Sequence, residues 1–99
     1  MHILNREVIE QAKKKHSTWK GSLNSWEKIV GGSGWSHFAD VRRTLKNADG
    51  VGDCVVFNIA HNDARLIAVV NYEFQTVTVL AVLSHKEYDK DGWKDACNC

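Results

Sequence analysis

The densest chemistry in the chain lies in Ser84-His85-Lys86-Glu87-Tyr88-Asp89-Lys90, where five types of ionisable side chain fall within six residues. These groups follow an apolar run at 76–83 that reads as a strand, and a loop anchored by a rigid sheet is a common way to build a site. The reaction they suit is cleavage of RNA by its own 2′-hydroxyl. That reaction needs a base for the hydroxyl, an acid for the departing 5′-oxygen and cations around the phosphorus. An unperturbed histidine titrates near pH 6.5 and serves as either acid or base at neutral pH, which makes His85 the first candidate. Lysine and arginine stabilise the charge that develops on phosphorus; Tyr88 is placed to stack on a base or donate a proton. The scheme requires no metal and no cofactor. The same residues also fit a solvated turn, since no one of them is specific.

Further candidates lie upstream. Arg42 and Lys46 are four apart on a helical segment and share a face, with Arg43 beside them; a solvated helix face has the same pattern. Asn62 and Arg65 open the strand before the last one. By simple register, the start of that strand and the end of the next lie at opposite ends, unless twist or a shift brings Arg65 close to His85. An extended 76–85 segment would place His85 on one face with Leu83, Ala81 and Val79. Cys97 and Cys99 offer two thiolates without the second pair that a zinc site usually has. His2, His16 and His37 belong to no constellation.

The elements that must position these groups follow from periodicity. Residues 1–4 read as an opening strand, and Asn5 as the cap of a helix reaching about Lys15 with Val8, Ile9 and Ala12 buried. Trp19, Leu23, Trp26 and Val30 fall on one helical face, ended by Gly31-Gly32-Ser33-Gly34. A third helix carries Phe38, Val41 and Leu45, and Asn47-Ala48-Asp49-Gly50 reads as the turn that closes it. The period then changes to that of strands at 54–60, 65–72 and 76–83, joined by short polar turns. The expected architecture is α+β, with an N-terminal strand and helices on one face of an antiparallel sheet and the whole of 1–99 as a single domain. The four tryptophans suit the core.

Composition narrows the function classes. At 43% hydrophobic and 25% charged, the chain is neither disordered nor fibrous. A net charge of +1 is too small to grip bare nucleic acid by charge alone, so RNA binding needs a local basic patch or another body to present the RNA. No signal peptide and no run of about 20 apolar residues is visible, which points to the cytoplasm. Three cysteines, two of them at 97 and 99, do not read as a disulfide framework.

Taken along its length, the sequence resembles the HigB family within the wider RelE-like toxins. The resemblance runs from about residue 2 to residue 90, through Trp19, Trp26, Trp35, Ala39-Asp40-Val41, Val55-Val56-Phe57-Asn58-Ile59, Asn62, Arg65-Leu66-Ile67, Asn71-Tyr72 and His85-Lys86-Glu87-Tyr88-Asp89. It implies a microbial-RNase-type domain that cleaves mRNA, generally at the ribosome, without a metal cofactor. It implies neutralisation by a helix-turn-helix antitoxin of the HigA kind, with operator DNA bound only through that antitoxin. Its functional positions fall on Arg65, His85, Tyr88 and Asp89. RNA contacts are expected from Arg42, Arg43, Lys46, Asn62, Lys86 and Lys90. The competing expectation is a non-catalytic module of the same fold that binds antitoxin or RNA. Residues 91–99 lie outside the resemblance, leaving Trp93 either to tuck against the sheet or to meet a partner.

Overall fold

Apolar side chains recur every three or four positions up to residue 45 and form near-continuous strand-length runs after residue 54, and the fold divides where the pattern changes. The computed structural model describes residues 1–99. Its elements are β1 (His2–Leu4), α1 (Arg6–Lys15), a 3-10 turn (Ser17–Trp19), α2 (Lys20–Gly31), α3 (Phe38–Thr44), β2 (Asp49–Val51), β3 (Cys54–Ile59), β4 (Ala64–Asn71), β5 (Thr76–Ser84), α4 (His85–Tyr88) and a last 3-10 turn (Gly92–Cys97). No helix is long and apolar enough to cross a membrane.

The helical stripes meet one face of the sheet. Ile9 and Ala12 of α1, Leu23, Trp26 and Val30 of α2, and Val41 of α3 are buried against Val55, Phe57 and Ile59 of β3, Leu66 and Ala68 of β4, and Val77 and Val79 of β5. Phe57 is the hub, taking the Trp26 ring edge-on at 5.4 Å and the Trp35 ring stacked at 6.5 Å. Glu27 ties α1 to α2 by accepting from Arg6 and Lys13, each at 2.6 Å.

The sheet order is β1-β5-β4-β3-β2. The expected α+β class stands, with the sheet mixed: β2 to β5 are antiparallel, while β1 runs parallel to β5 with Ile3 opposite Val77. Asn5 makes this edge. Its backbone is left-handed (φ 65°), a conformation asparagine tolerates better than most residues. Its side chain donates to the Val79 carbonyl at 2.7 Å and makes no cap bond to α1, contrary to the expected role. Asp49 and Gly50, expected within a turn, instead pair with β3 together with Val51.

A bulge reorients the end of β5. Ile67 faces Ala81 while its neighbour Ala68 faces Val79, so Leu80 is the extra residue. Val77 and Val79 point to the helices, whereas Leu80, Ala81 and Leu83 pack on the opposite face. The expectation that Val79, Ala81, Leu83 and His85 share a face is therefore corrected: alternation breaks at the bulge, and His85 starts a helix.

The second face is covered by the last segment of the chain. Cys54, Val56 and Ile67 form a small core with Cys97, flanked by Tyr88 and Trp93. Cys54 and Cys97 are joined as a disulfide with Cα atoms 5.3 Å apart, leaving Cys99 free and exposed. This overturns the reading of the cysteines as unpaired. The two lie 43 residues apart, and only the return of the chain across the sheet brings them together. The Asp53 amide donates to the Cys97 carbonyl at 2.7 Å, and Asn98 Nδ2 donates to the Asp53 carboxylate at 2.6 Å.

Gly52 is what allows that approach. It has φ +56°, and a Cβ there would fall 2.1 Å from the Cys97 carbonyl oxygen. Gly52→Ala is expected to destabilise the fold by about 1–3 kcal/mol, through left-handed strain plus a backbone clash. Urea unfolding measures this, and an unchanged midpoint would mean that the last segment does not dock on this turn.

Candidate functional site

The register of β4 and β5 corrects the expected separation of Arg65 from His85. In an antiparallel pair, the start of one strand lies beside the end of the next: Ala64 is opposite Ser84 and Arg65 opposite Leu83. The His85 amide continues the ladder by donating to the Asp63 carbonyl at 2.9 Å. Both groups are therefore at one end of the sheet, without any need for twist.

Arg65 lies on the second face, between Asn58 across β3 and Leu83 across β5. Its Nη1 donates to the Asn62 carbonyl at 2.8 Å and the Ala64 carbonyl at 3.2 Å, and its guanidinium sits 5.2 Å from the centre of the Tyr88 ring. Trp93 stacks on Tyr88 at 4.8 Å and donates its indole N–H to the Tyr88 carbonyl at 2.9 Å. Lys94 Nζ lies 5.9 Å from the Trp93 ring centre. The result is a stack of cation, aromatic, aromatic and cation, in which each contact contributes about 0.5–1.5 kcal/mol. Trp93 and Arg65 both lie against the Tyr88 ring.

A cleft of about 400 Å³ opens beside this stack, lined by Arg42, Lys46, Asp49, Asn58, Arg65 and Tyr88 among others. Three cations face one carboxylate, so the near-neutral chain does carry a local basic patch. Arg42 and Lys46 come from α3 and the turn after it, Arg65 from β4 and Tyr88 from α4. Two groups of candidates that are far apart in sequence thus meet in one place. A larger hollow of about 630 Å³ lies on the helix side between α2 and the end of β3, and includes His61.

The remaining candidates are placed differently. His85 and Asp89 do not line the cleft; they sit at its end of the sheet, with His85 Nε2 3.3 Å from Asp89 Oδ2 and both side chains 61% exposed. Lys86 and Lys90 are exposed on the same segment. Asn62 has φ 76° in the β3–β4 turn, following Ala60 and His61, which are also left-handed, and contributes its carbonyl to Arg65. Arg43 points away, held by Asp40 at 2.7 Å beside a different hollow. Asp40 is kept below the usual carboxylate range chiefly by the Ser36 amide, with His37 and Arg43 assisting.

Local chemistry explains why α4 forms directly after the strand. Ser84 and Glu87 make a capping box: the Glu87 amide donates to Ser84 Oγ at 3.2 Å, and the Ser84 amide donates to the Glu87 carboxylate at 3.0 Å. Those bonds hold Glu87 below the usual carboxylate range. Their contribution to stability is therefore present above that range and is lost as pH falls through the lowered value.

Sequence reasoning missed Asn58 and Asp49 as cleft residues. Asn58 is a polar residue in phase with Val56 within an otherwise apolar strand, and that break was the available signal. Asp49 had none, because its segment read as a turn.

Comparison with known proteins accords with this architecture. The mRNA interferase toxin HigB of Escherichia coli (strain K12) is 24% identical over 92 residues, covering 90% of this chain and 88% of that protein. The mRNA interferase HigB of Escherichia coli O6:H1 is 25% identical over 93 residues, covering 91% and 90%. That of Shigella flexneri is 24% identical over 92 residues. Residues 19–91 match the HigB_toxin family, described as the RelE-like toxic component of a toxin–antitoxin system, so the cleft lies within the matched span and Trp93 and Cys97 lie beyond it. The chain belongs to the HigB_toxin family.

Proposed function

We propose that this toxin is an endoribonuclease that cleaves mRNA on the ribosome, with the message's own 2′-hydroxyl as nucleophile. The observation that carries the reading is the basic cleft, where Arg42, Lys46 and Arg65 converge beside Tyr88 in a chain whose relatives are named mRNA interferases. The 2′-oxygen attacks phosphorus and the bond to the 5′-oxygen breaks, leaving a 2′,3′-cyclic phosphate and a 5′-hydroxyl. Arg65 stabilises the charge on the phosphoryl oxygens. His85 transfers a proton as general acid or base, and Asp89 orients it or serves as an alternative base. Tyr88 orients or stacks a base. Arg42, Lys46, Asn62, Lys86 and Lys90 hold the backbone; Arg43 does so only when released from Asp40. No metal enters the scheme.

Three cleft cations are few for holding free RNA, which is why the reading includes the ribosome as the body that presents the message. The partner is a helix-turn-helix antitoxin of the HigA kind, through which alone the toxin would meet operator DNA. The place of action is the cytoplasm. One observation favours the second reading, binding without cleavage: no histidine lines the cleft.

Primer-extension mapping of a defined mRNA in a translation extract, with and without active ribosomes, tests the proposal. Cuts are expected only during translation. Cuts on free RNA as well would retain the enzyme and remove the ribosome. A folded protein that cuts in neither condition would establish the binding module.

A further inference from the structure

We propose that Trp93, clamped by the Cys54–Cys97 disulfide, is a positioning residue that holds Tyr88 over Arg65 and makes the cleft responsive to thiols. The inference rests on the reading of the cleft as the RNA site.

α4 is a single turn with no fully buried residue, and Tyr88 is only partly buried against the small core of Cys54, Val56, Ile67 and Cys97. Its start is held by the Ser84–Glu87 box. Its far end is held by Trp93, which both stacks on the Tyr88 ring and donates to the Tyr88 carbonyl. Trp93 in turn occupies a short 3-10 segment whose end is fixed at Cys97, bonded to the first residue of β3. Asp91, with φ 61°, makes the reversal that folds Trp93 back onto Tyr88. The chain of contacts thus runs from the disulfide through Trp93 and Tyr88 to Arg65. Trp93 and Cys97 lie beyond the residues 19–91 matched to the family, whereas Cys54 and Tyr88 lie within them.

The anchor is a redox bond. A dithiol reductant opens it with two electrons and two protons, leaving Cys54 and Cys97 as thiols while the reductant becomes a disulfide. Both half-cystines are buried, so attack requires the last segment to lift, and once reduced the segment is retained by the Asp53 contacts, by packing on Val56 and Ile67, and by the Trp93 stack and hydrogen bond to Tyr88. In a reducing compartment such a bond is in exchange with the thiol pool and is more often a sensor than a staple.

The test compares oxidised protein, dithiothreitol-reduced protein, Trp93→Ala and Trp93→Phe. Two quantities are read: affinity for a non-cleavable 2′-O-methyl oligoribonucleotide, and amide hydrogen exchange at residues 88–91. Reduction and Trp93→Ala should each weaken binding by about tenfold and speed exchange at those amides. Trp93→Phe, which can still stack, should recover most of the binding, and reducing Trp93→Ala should add little. Unchanged binding and exchange in Trp93→Ala, or in wild type shown by thiol counting to be reduced, overturns the clamp. Exchange that responds as expected in a protein that neither binds the oligonucleotide nor cuts mRNA during translation would keep the clamp and remove the RNA reading. A Trp93→Phe protein as impaired as Trp93→Ala overturns stacking as the positioning contact.

Discussion

Arg65→Ala is expected to lower mRNA cleavage by about 10²–10³-fold while the protein stays folded, the loss usual when one group that stabilises transition-state charge is removed. The stability cost should be about 1 kcal/mol, from the lost contact with Tyr88, because water can replace the side chain's bond to the exposed Asn62 carbonyl and part of that to the Ala64 carbonyl. If Arg65 acts on charge that develops during the reaction, the loss falls mainly in kcat and not in KM. Arg65→Lys keeps the charge but loses the planar fork and the stack on Tyr88, so it should recover only part of the activity. Quantified cleavage at mapped sites checks this. A folded Arg65→Ala protein that cuts at the parental rate would remove Arg65 from the mechanism.

The helical half of the fold was legible because its stripes are long. Trp19, Leu23, Trp26 and Val30 repeat over three turns, and all four are buried. The strands were legible from their composition, but their neighbours were not. That β1 lies parallel to β5 depends on the path of all the chain between them, and nothing in three residues announces it. Asn5 shows the same limit: its type fits a helix cap, yet its side chain serves the strand behind it.

The candidate site was legible as residue types and obscure as an assembly. Arg42, Lys46, Arg65 and Tyr88 were each singled out, but their meeting depends on α3 reaching the sheet edge through β2 and on a four-residue helix after β5. The bulge at Leu80 is equally silent in sequence, and it decides which face Leu83 occupies beside Arg65. The disulfide illustrates the point most sharply, since a pairing across 43 residues is a property of topology and not of spacing.

His85→Ala tests the least assembled part of the mechanism, and its expected effect is a loss of about 10²-fold or more in kcat with little change in KM. The geometry explains both halves of that expectation. His85 is tied to the start of β4 by its backbone, two residue pairs beyond Arg65, which puts both at one end of the sheet, and the proposed transfer requires its imidazole to reach a phosphate held by that arginine. It is outside the cleft lining, so substrate binding should hardly depend on it. At 61% exposure it is also accessible to small molecules, and added imidazole should restore part of the activity of His85→Ala but none of that of Arg65→Ala. Asp89→Asn should cost less than His85→Ala if the carboxylate only orients the ring, and as much or more if Asp89 is itself the base. Parental cleavage by folded His85→Ala protein would exclude the histidine and move the proton transfers into the cleft, where Asp49 is the remaining carboxylate and Tyr88 the remaining acid.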